Sequence, residues 1–101
     1  MREYLYEVKL SDENEPVILK IKIKKWEEKD GLPPDARRGG ISHVAYVTDE
    51  DGRYLSAPGI AVPIRFYGRA SEGLNAVVEA KTQAEEYLRK NSKNLKPINS
   101  S

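Results

Sequence analysis

The chain has no cysteine among its 101 residues, which removes disulfides, thiolate zinc sites and cysteine nucleophiles together. It has one histidine, so a transition-metal site would rest on carboxylates, which suit hard ions better. It lacks an excess of either charge: 17 Lys and Arg stand against 16 Asp and Glu, for a net charge of +1. That balance argues against the domain-wide basic surface of a non-specific nucleic-acid binder, while leaving room for a local patch. No apolar run approaches the ~20 residues of a membrane span, and Met1-Arg2-Glu3-Tyr4 has no apolar signal core. The expectation is a cytoplasmic protein with no membrane contact, no metal and no cofactor.

What is present suits a single folded domain. Hydrophobic residues make up 39% and charged residues 33%, a balance unlike that of disordered chains. A chain of this length buries roughly two-thirds of its unfolded surface and needs no staple. Residues 17–24, Val-Ile-Leu-Lys-Ile-Lys-Ile-Lys, alternate with period two, as a strand with one dry and one charged face does. Residues 4–10 alternate as well, through Tyr4, Tyr6, Val8 and Leu10, with Leu5 out of place on the polar side. A hairpin with Leu10 opposite Val17 puts Val8 on Leu19, Tyr6 on Ile21 and Tyr4 on Ile23. It also opposes Glu7 to Lys20 and Glu3 to Lys24, and a one-residue slip would ruin both faces.

Trp26 falls off the alternation, on the lysine side. Residues 27–40 then form a long connection with two prolines and three glycines, a length that is often functional or disordered. Residues 41–48 read as a third strand, and Asp49-Glu50-Asp51-Gly52 as a turn with Asp51-Gly52 at positive φ. Residues 53–57 read as a fourth strand and 60–67 as a fifth, with Ile60, Val62, Ile64 and Phe66 on one side. Pro63 cannot donate to a ladder, which places that strand at an edge or a bulge. Ser71 is placed to cap a helix to about Lys90, with Glu85–Arg89 and Glu86–Lys90 as i,i+4 pairs.

This predicts an α+β fold: an antiparallel sheet of about five strands with one long C-terminal helix packed on one face, over residues 1–91. Residues 92–101 read as a flexible polar tail. The helix carries Leu74, Val77, Val78 and Leu88 on one flank, and Gly73, Ala76, Ala80 and Ala84 with Tyr87 on another. The alanines either lie flat on the sheet or form a ridge for another helix, such as that of a second copy. The third strand is apolar on both parities, with Ile41, Ala45 and Val47 on one side and Val44 and Tyr46 on the other. One helix covers one face, so Trp26, the proline loop or another subunit must cover part of the second.

Two function classes follow. The first is a small non-enzymatic protein-interaction module, contacting either itself as a homodimer or another target through Ala76, Ala80, Ala84, Tyr87, Trp26 and Tyr46. The second is a nucleic-acid or phosphate binder using Lys22, Lys25, Arg37, Arg38 and Arg65, with Tyr46 and Tyr67 as stacking surfaces. Arg37-Arg38-Gly39-Gly40 pairs two guanidinium groups with flexible backbone, a combination that suits an anion. The lysine stripe is more often a solvated face. Ser42 and His43 are adjacent, and strand alternation would point them to opposite faces, away from any nucleophile–base pair. Residues 49–52 lack the glycine offset and closing Glu of a calcium loop. No spacing singles out an activated constellation, so no enzyme is expected.

Val44-Ala45-Tyr46-Val47-Thr48-Asp49-Glu50-Asp51-Gly52, then Pro58-Gly59, and Ala80-Lys81-Thr82-Gln83-Ala84-Glu85-Glu86-Tyr87-Leu88 resemble HicB-type antitoxins. Double-stranded-RNA-binding domains share the same sheet-then-alanine-helix order. The resemblance covers half the chain at most. The first forty residues have no counterpart, and Glu72-Gly73 stands where the RNA-binding family has a lysine cluster. It assigns no family.

Overall fold

A computed structural model describes residues 3–10, 17–31, 41–69, 73–91 and 94–98. Strands β1 (Tyr4–Leu10) and β2 (Val17–Lys25) pair antiparallel in the register set by their two alternations, with Leu10 opposite Val17 and Tyr4 opposite Ile23. The main sheet continues through β3 (His43–Thr48), and its remaining neighbour in space is not the next strand in sequence. After the turn, β4 (Leu55–Ser56) leaves the sheet, and β5 (Arg65–Gly68) takes the place beside β3. The spatial order is β1-β2-β3-β5, all antiparallel. The α+β architecture is thus as the sequence predicts, with four strands in the main sheet rather than five.

The difference lies in residues 53–64. Asp49 organises the turn: its carboxylate accepts from the Asp51 and Arg53 backbone N–H groups at 2.9 Å each and from Arg53 Nε at 2.7 Å. Gly52 in the turn has positive φ, at 86°. Only Tyr54 then bridges to Thr48 before the chain turns away. A second reversal, with Ile60 N–H donating to the Ala57 carbonyl at 3.1 Å, precedes Pro63. These interruptions shorten the expected fifth strand to four residues at the sheet edge. Ile60 and Val62 are left exposed, and only Ile64 and Phe66 reach the core.

The fourth strand finds its partner elsewhere. β6 (Lys96–Pro97) pairs with β4, Ile98 N–H donates to the Tyr54 carbonyl at 2.9 Å, and Leu95 packs on the core. Residues 95–98 are therefore tied to β4 and the core. Pro97 is tolerated because the ladder is two residues long and at an edge.

Helix α1 (Gly73–Asn91) covers the dry face. Ala80 and Ala84 are fully buried, together with Val77 and Leu88, in a cluster with Ile21, Ile23, Ala45 and Val47, and Ala76 is fully buried beside Gly68. The alanine flank lies on the sheet because small side chains let the helix backbone come close. At Gly68 the approach is closest: a Cβ there would stand 2.1 Å from the Ala76 carbonyl oxygen. Val78 departs from its expected flank and is exposed. The i,i+4 ion pair that forms is Lys81–Glu85, at 3.3 Å, rather than either expected one. Ser71 and Glu72, the expected helix cap, lie outside the described residues.

The helix lies mainly over β5 and β3 and thins out toward β1. Gly68→Ala should cost roughly 2 kcal/mol or more, since the helix backbone cannot yield as a side chain would. Urea unfolding measures this; an unchanged midpoint would show that the helix is not seated on Gly68.

Candidate functional site

The second face of the sheet holds two different surfaces. Over β3 and β5 it is closed. Val44, Tyr46 and Tyr67 form a small buried cluster, with Trp26, Ile41 and Tyr54 packed on it. Ile41 precedes β3, so it escapes the strand alternation and joins Val44 and Tyr46 instead of Ala45 and Val47. The cover expected from Trp26 is present: its backbone N–H donates to the Ser42 carbonyl at 2.9 Å, and its indole N–H to Gly31 O at 2.7 Å.

The segment after Trp26 is held down by a buried carboxylate. Residues 28–30 make one 3-10 turn, which brings Asp30, 3% exposed, over the sheet. Asp30 accepts from Tyr46 O–H at 2.6 Å and from Glu27 N–H at 2.9 Å, and pairs with Lys24 at 3.2 Å. Arg65 Nη1 donates to the Asp30 carbonyl. Gly31, at φ 77°, ends the turn where a Cβ would meet that guanidinium at 2.7 Å. Burial pushes the Asp30 carboxyl up, but bonds from Tyr46, Glu27 and Lys24 outweigh it, so it titrates below its ordinary value. Burial, then Asp30, push the Tyr46 phenol well up, so it stays a neutral donor.

These contacts place most of the sequence-derived candidates in structural roles. Tyr46 and Tyr67 share the lysine face, but both are buried, at 8% and 9% exposure, with no open ring for a base to stack on. Arg65 is spent on Asp30. Ala76, Ala80 and Ala84 face the core, and Tyr87 packs on Phe66 with ring centroids 5.5 Å apart. Lys25 is exposed at the end of β2, opposite His43 and on the other side of the sheet from Lys22. Arg37 and Arg38 lie outside the described residues. The lysine pairing also differs from the expected one. Glu3 reaches Lys22 at 3.8 Å because Asp30 has drawn Lys24 away; Lys20 stands opposite Glu7 as expected, but its Nζ donates to the Glu50 carbonyl at 3.4 Å.

Toward β1 the second face is open. A groove of about 270 Å³ runs between β1 and the β3–β4 turn, lined by Glu3, Leu5, Lys20, Lys22, Thr48, Gly52 and Tyr54. Leu5, the residue that broke the polar alternation, is 62% exposed on its rim. Lys22 Nζ sits 5.9 Å above the Tyr54 ring, which walls the other side. β1 is also a sheet edge: it pairs with β2 alone, and no other described strand meets it. On the dry face Tyr4, Tyr6, Val8 and Leu10 are only half-buried, because the helix thins out over them, with Lys81 Nζ 4.9 Å from the Tyr6 ring. A seven-residue edge with apolar side chains on both faces is a template for an added strand, the backbone supplying affinity and the groove a side-chain pocket. Sequence reasoning had the signal, in Leu5, and assigned it no role.

Ser42 and His43 do touch, with Ser42 Oγ 3.0 Å from His43 Nδ1. Ser42 lies just before β3, so the expected divergence of neighbouring strand residues does not apply. No carboxylate among the described residues bonds to the ring. Nor do three or more metal-ligating side chains gather anywhere among them. No helix of the described residues is long and apolar enough to cross a membrane.

Burial, with a smaller contribution from Lys25, holds His43 below its ordinary 6.5. Unfolding lets it take up a proton, so stability should fall as pH drops through 6.5 toward the folded-state value. Melting temperatures between pH 7.5 and 5.5 measure this, and His43→Gln should flatten the slope, since no other histidine exists. A slope that the substitution leaves intact would assign the titration elsewhere. Tyr46→Phe should lower stability by about 1–3 kcal/mol by removing a donor from the buried Asp30 carboxylate; an unchanged denaturation midpoint would contradict the clamp.

No protein-family model matches the chain, and neither a curated protein nor a solved structure matches it.

Proposed function

We propose that this protein is a small non-enzymatic interaction module that takes up an extended polypeptide segment along the free edge of β1. One observation carries the reading: the longest open edge of the described sheet is also where an apolar side chain, Leu5, stands 62% exposed beside a groove. Natural sheets usually blunt such an edge with short strands, inward charges or proline. Here Glu3, Glu7 and Lys9 lie on one face only, and no proline interrupts the strand. An added strand would gain main-chain hydrogen bonds along β1 and place alternate side chains over Leu5 and Tyr54 on one face and beside Tyr4, Tyr6 and Val8 on the other. The closed half of the second face, clamped by Asp30, serves as the rigid backing for that edge.

The test is selection of random dodecapeptides displayed on phage against sparsely immobilised protein. Enriched peptides should alternate apolar and polar residues, and should bind the Leu5→Glu variant at least tenfold more weakly. Leu5 is exposed, so the fold should survive the change. An absence of enriched peptides, or peptides indifferent to Leu5→Glu, would overturn the reading.

A further inference from the structure

Resting on the edge reading, we infer that the segment β1 takes up is β1 of a second copy, in one antiparallel register centred on Tyr6. A two-fold dimer pairs like with like, so the sum of two opposed residue numbers is constant, and antiparallel pairing follows. That sum must be even, because an odd sum would put the dry face of one copy against the charged face of the other.

The charges on β1 then discriminate among the registers. Together with Glu3, the residue just before the strand, its charged face reads Glu3, Leu5, Glu7, Lys9. Centring on Leu5 opposes Glu3 to Glu7 twice, and centring on Glu7 opposes that residue to itself. Centring on Val8 joins Glu7 to Lys9 but leaves Glu3 and Leu5 beyond the strand. Centring on Tyr6 opposes Glu3 to Lys9 at both ends, and sets Leu5 against Glu7. On the dry face it sets Tyr4 against Val8 and Tyr6 against itself, an aromatic and β-branched pairing that favours sheets. This register alone uses the strand from residue 3 to residue 9 without a like-charge contact. The lone Lys9 of β1 thereby acquires a purpose, since within its own chain it opposes Ile18 and makes no ion pair among the described residues.

The pairing merges two four-stranded sheets into one of eight, with the two helices on the same face and the two Leu5 grooves side by side on the other. A seven-residue edge buries less than the roughly 800 Å² per partner of a standard interface. The dimer should therefore be concentration-dependent, which sets the range of measurement.

Sedimentation equilibrium from about 1 μM to about 1 mM should show a monomer–dimer equilibrium. Lys9→Glu should weaken it roughly tenfold or more, by turning two attractive pairs repulsive, and Glu3→Lys likewise. The double variant Glu3→Lys with Lys9→Glu should restore it. The absence of native cysteine allows an independent test. Across the two-fold, opposed Tyr6 positions have Cα atoms about 5 Å apart, within disulfide range. Tyr6→Cys should form a dimer on oxidation, and Leu5→Cys, about 8 Å from its mate on the diagonal, should not. If Tyr6→Cys fails to fold, as circular dichroism would reveal, the charge swap decides. A strictly monomeric wild type, or a dimer indifferent to the swap, overturns the inference. Monomeric protein that still binds displayed peptides through Leu5 overturns self-pairing and leaves the edge reading standing. Monomeric protein that binds none removes both.

Discussion

The approach of the Ala76 backbone to Gly68 is the contact on which the rest of the arrangement depends. A helix can lie this close only where neither surface has side-chain bulk, and here both are bare: Gly68 on β5, alanines every fourth residue on α1. The close seat fixes the helix over β5 and β3. The same 19-residue helix therefore covers β1 only sparsely, and the dry face is left half-dressed on that side. Tight packing at one end of the sheet and exposure at the other are one geometric fact. Widening the seat with a larger residue at position 68 would move the cover along with the clash.

The second face divides along the same line, for an electrostatic reason. A lysine row beside a row of aromatics could have been a basic platform. A single buried carboxylate changes that, by taking Lys24, Tyr46 and the segment after Trp26 together. The groups satisfy one another: no buried side-chain nitrogen or oxygen among the described residues lacks a partner. What remains toward β1 is the short stretch that this carboxylate does not reach.

Much of the architecture was legible in the sequence, and the reasons are local. The β1–β2 register could be read because two period-two patterns admit only one mutual alignment. The alanine flank was visible, but helical periodicity does not say whether small residues face a sheet or another helix. That required Gly68, whose role is set by a contact partner eight residues away and carries no pattern of its own. The excursion of β4 to meet β6 was hidden for a related reason. Two-residue ladders leave no periodicity, and Lys96-Pro97 looks like any polar tail. Asp30 was invisible because its meaning comes from Tyr46 and Lys24, sheet residues over which the turn after Trp26 folds it. The touching of Ser42 and His43 was misjudged because alternation was applied one residue before the strand begins. Leu5 was noticed as an exception and given no meaning, since one misplaced apolar residue is ordinary on most surfaces.

The order of strands in space also has a consequence for how the chain comes together. β1, β2 and β3 are neighbours both in sequence and in the sheet, and β5 joins after one short excursion. In this meander the β1–β2 connection is short and the β2–β3 connection long, so the first hairpin can assemble early. The helix that covers it comes later in the chain, and the β6 clasp later still. Until the helix has been made, Ile21, Ile23, Ala45 and Val47 have no cover. For that interval the molecule displays a far larger sticky surface than the folded protein ever does, and the helix is as much its shield during synthesis as its core afterwards.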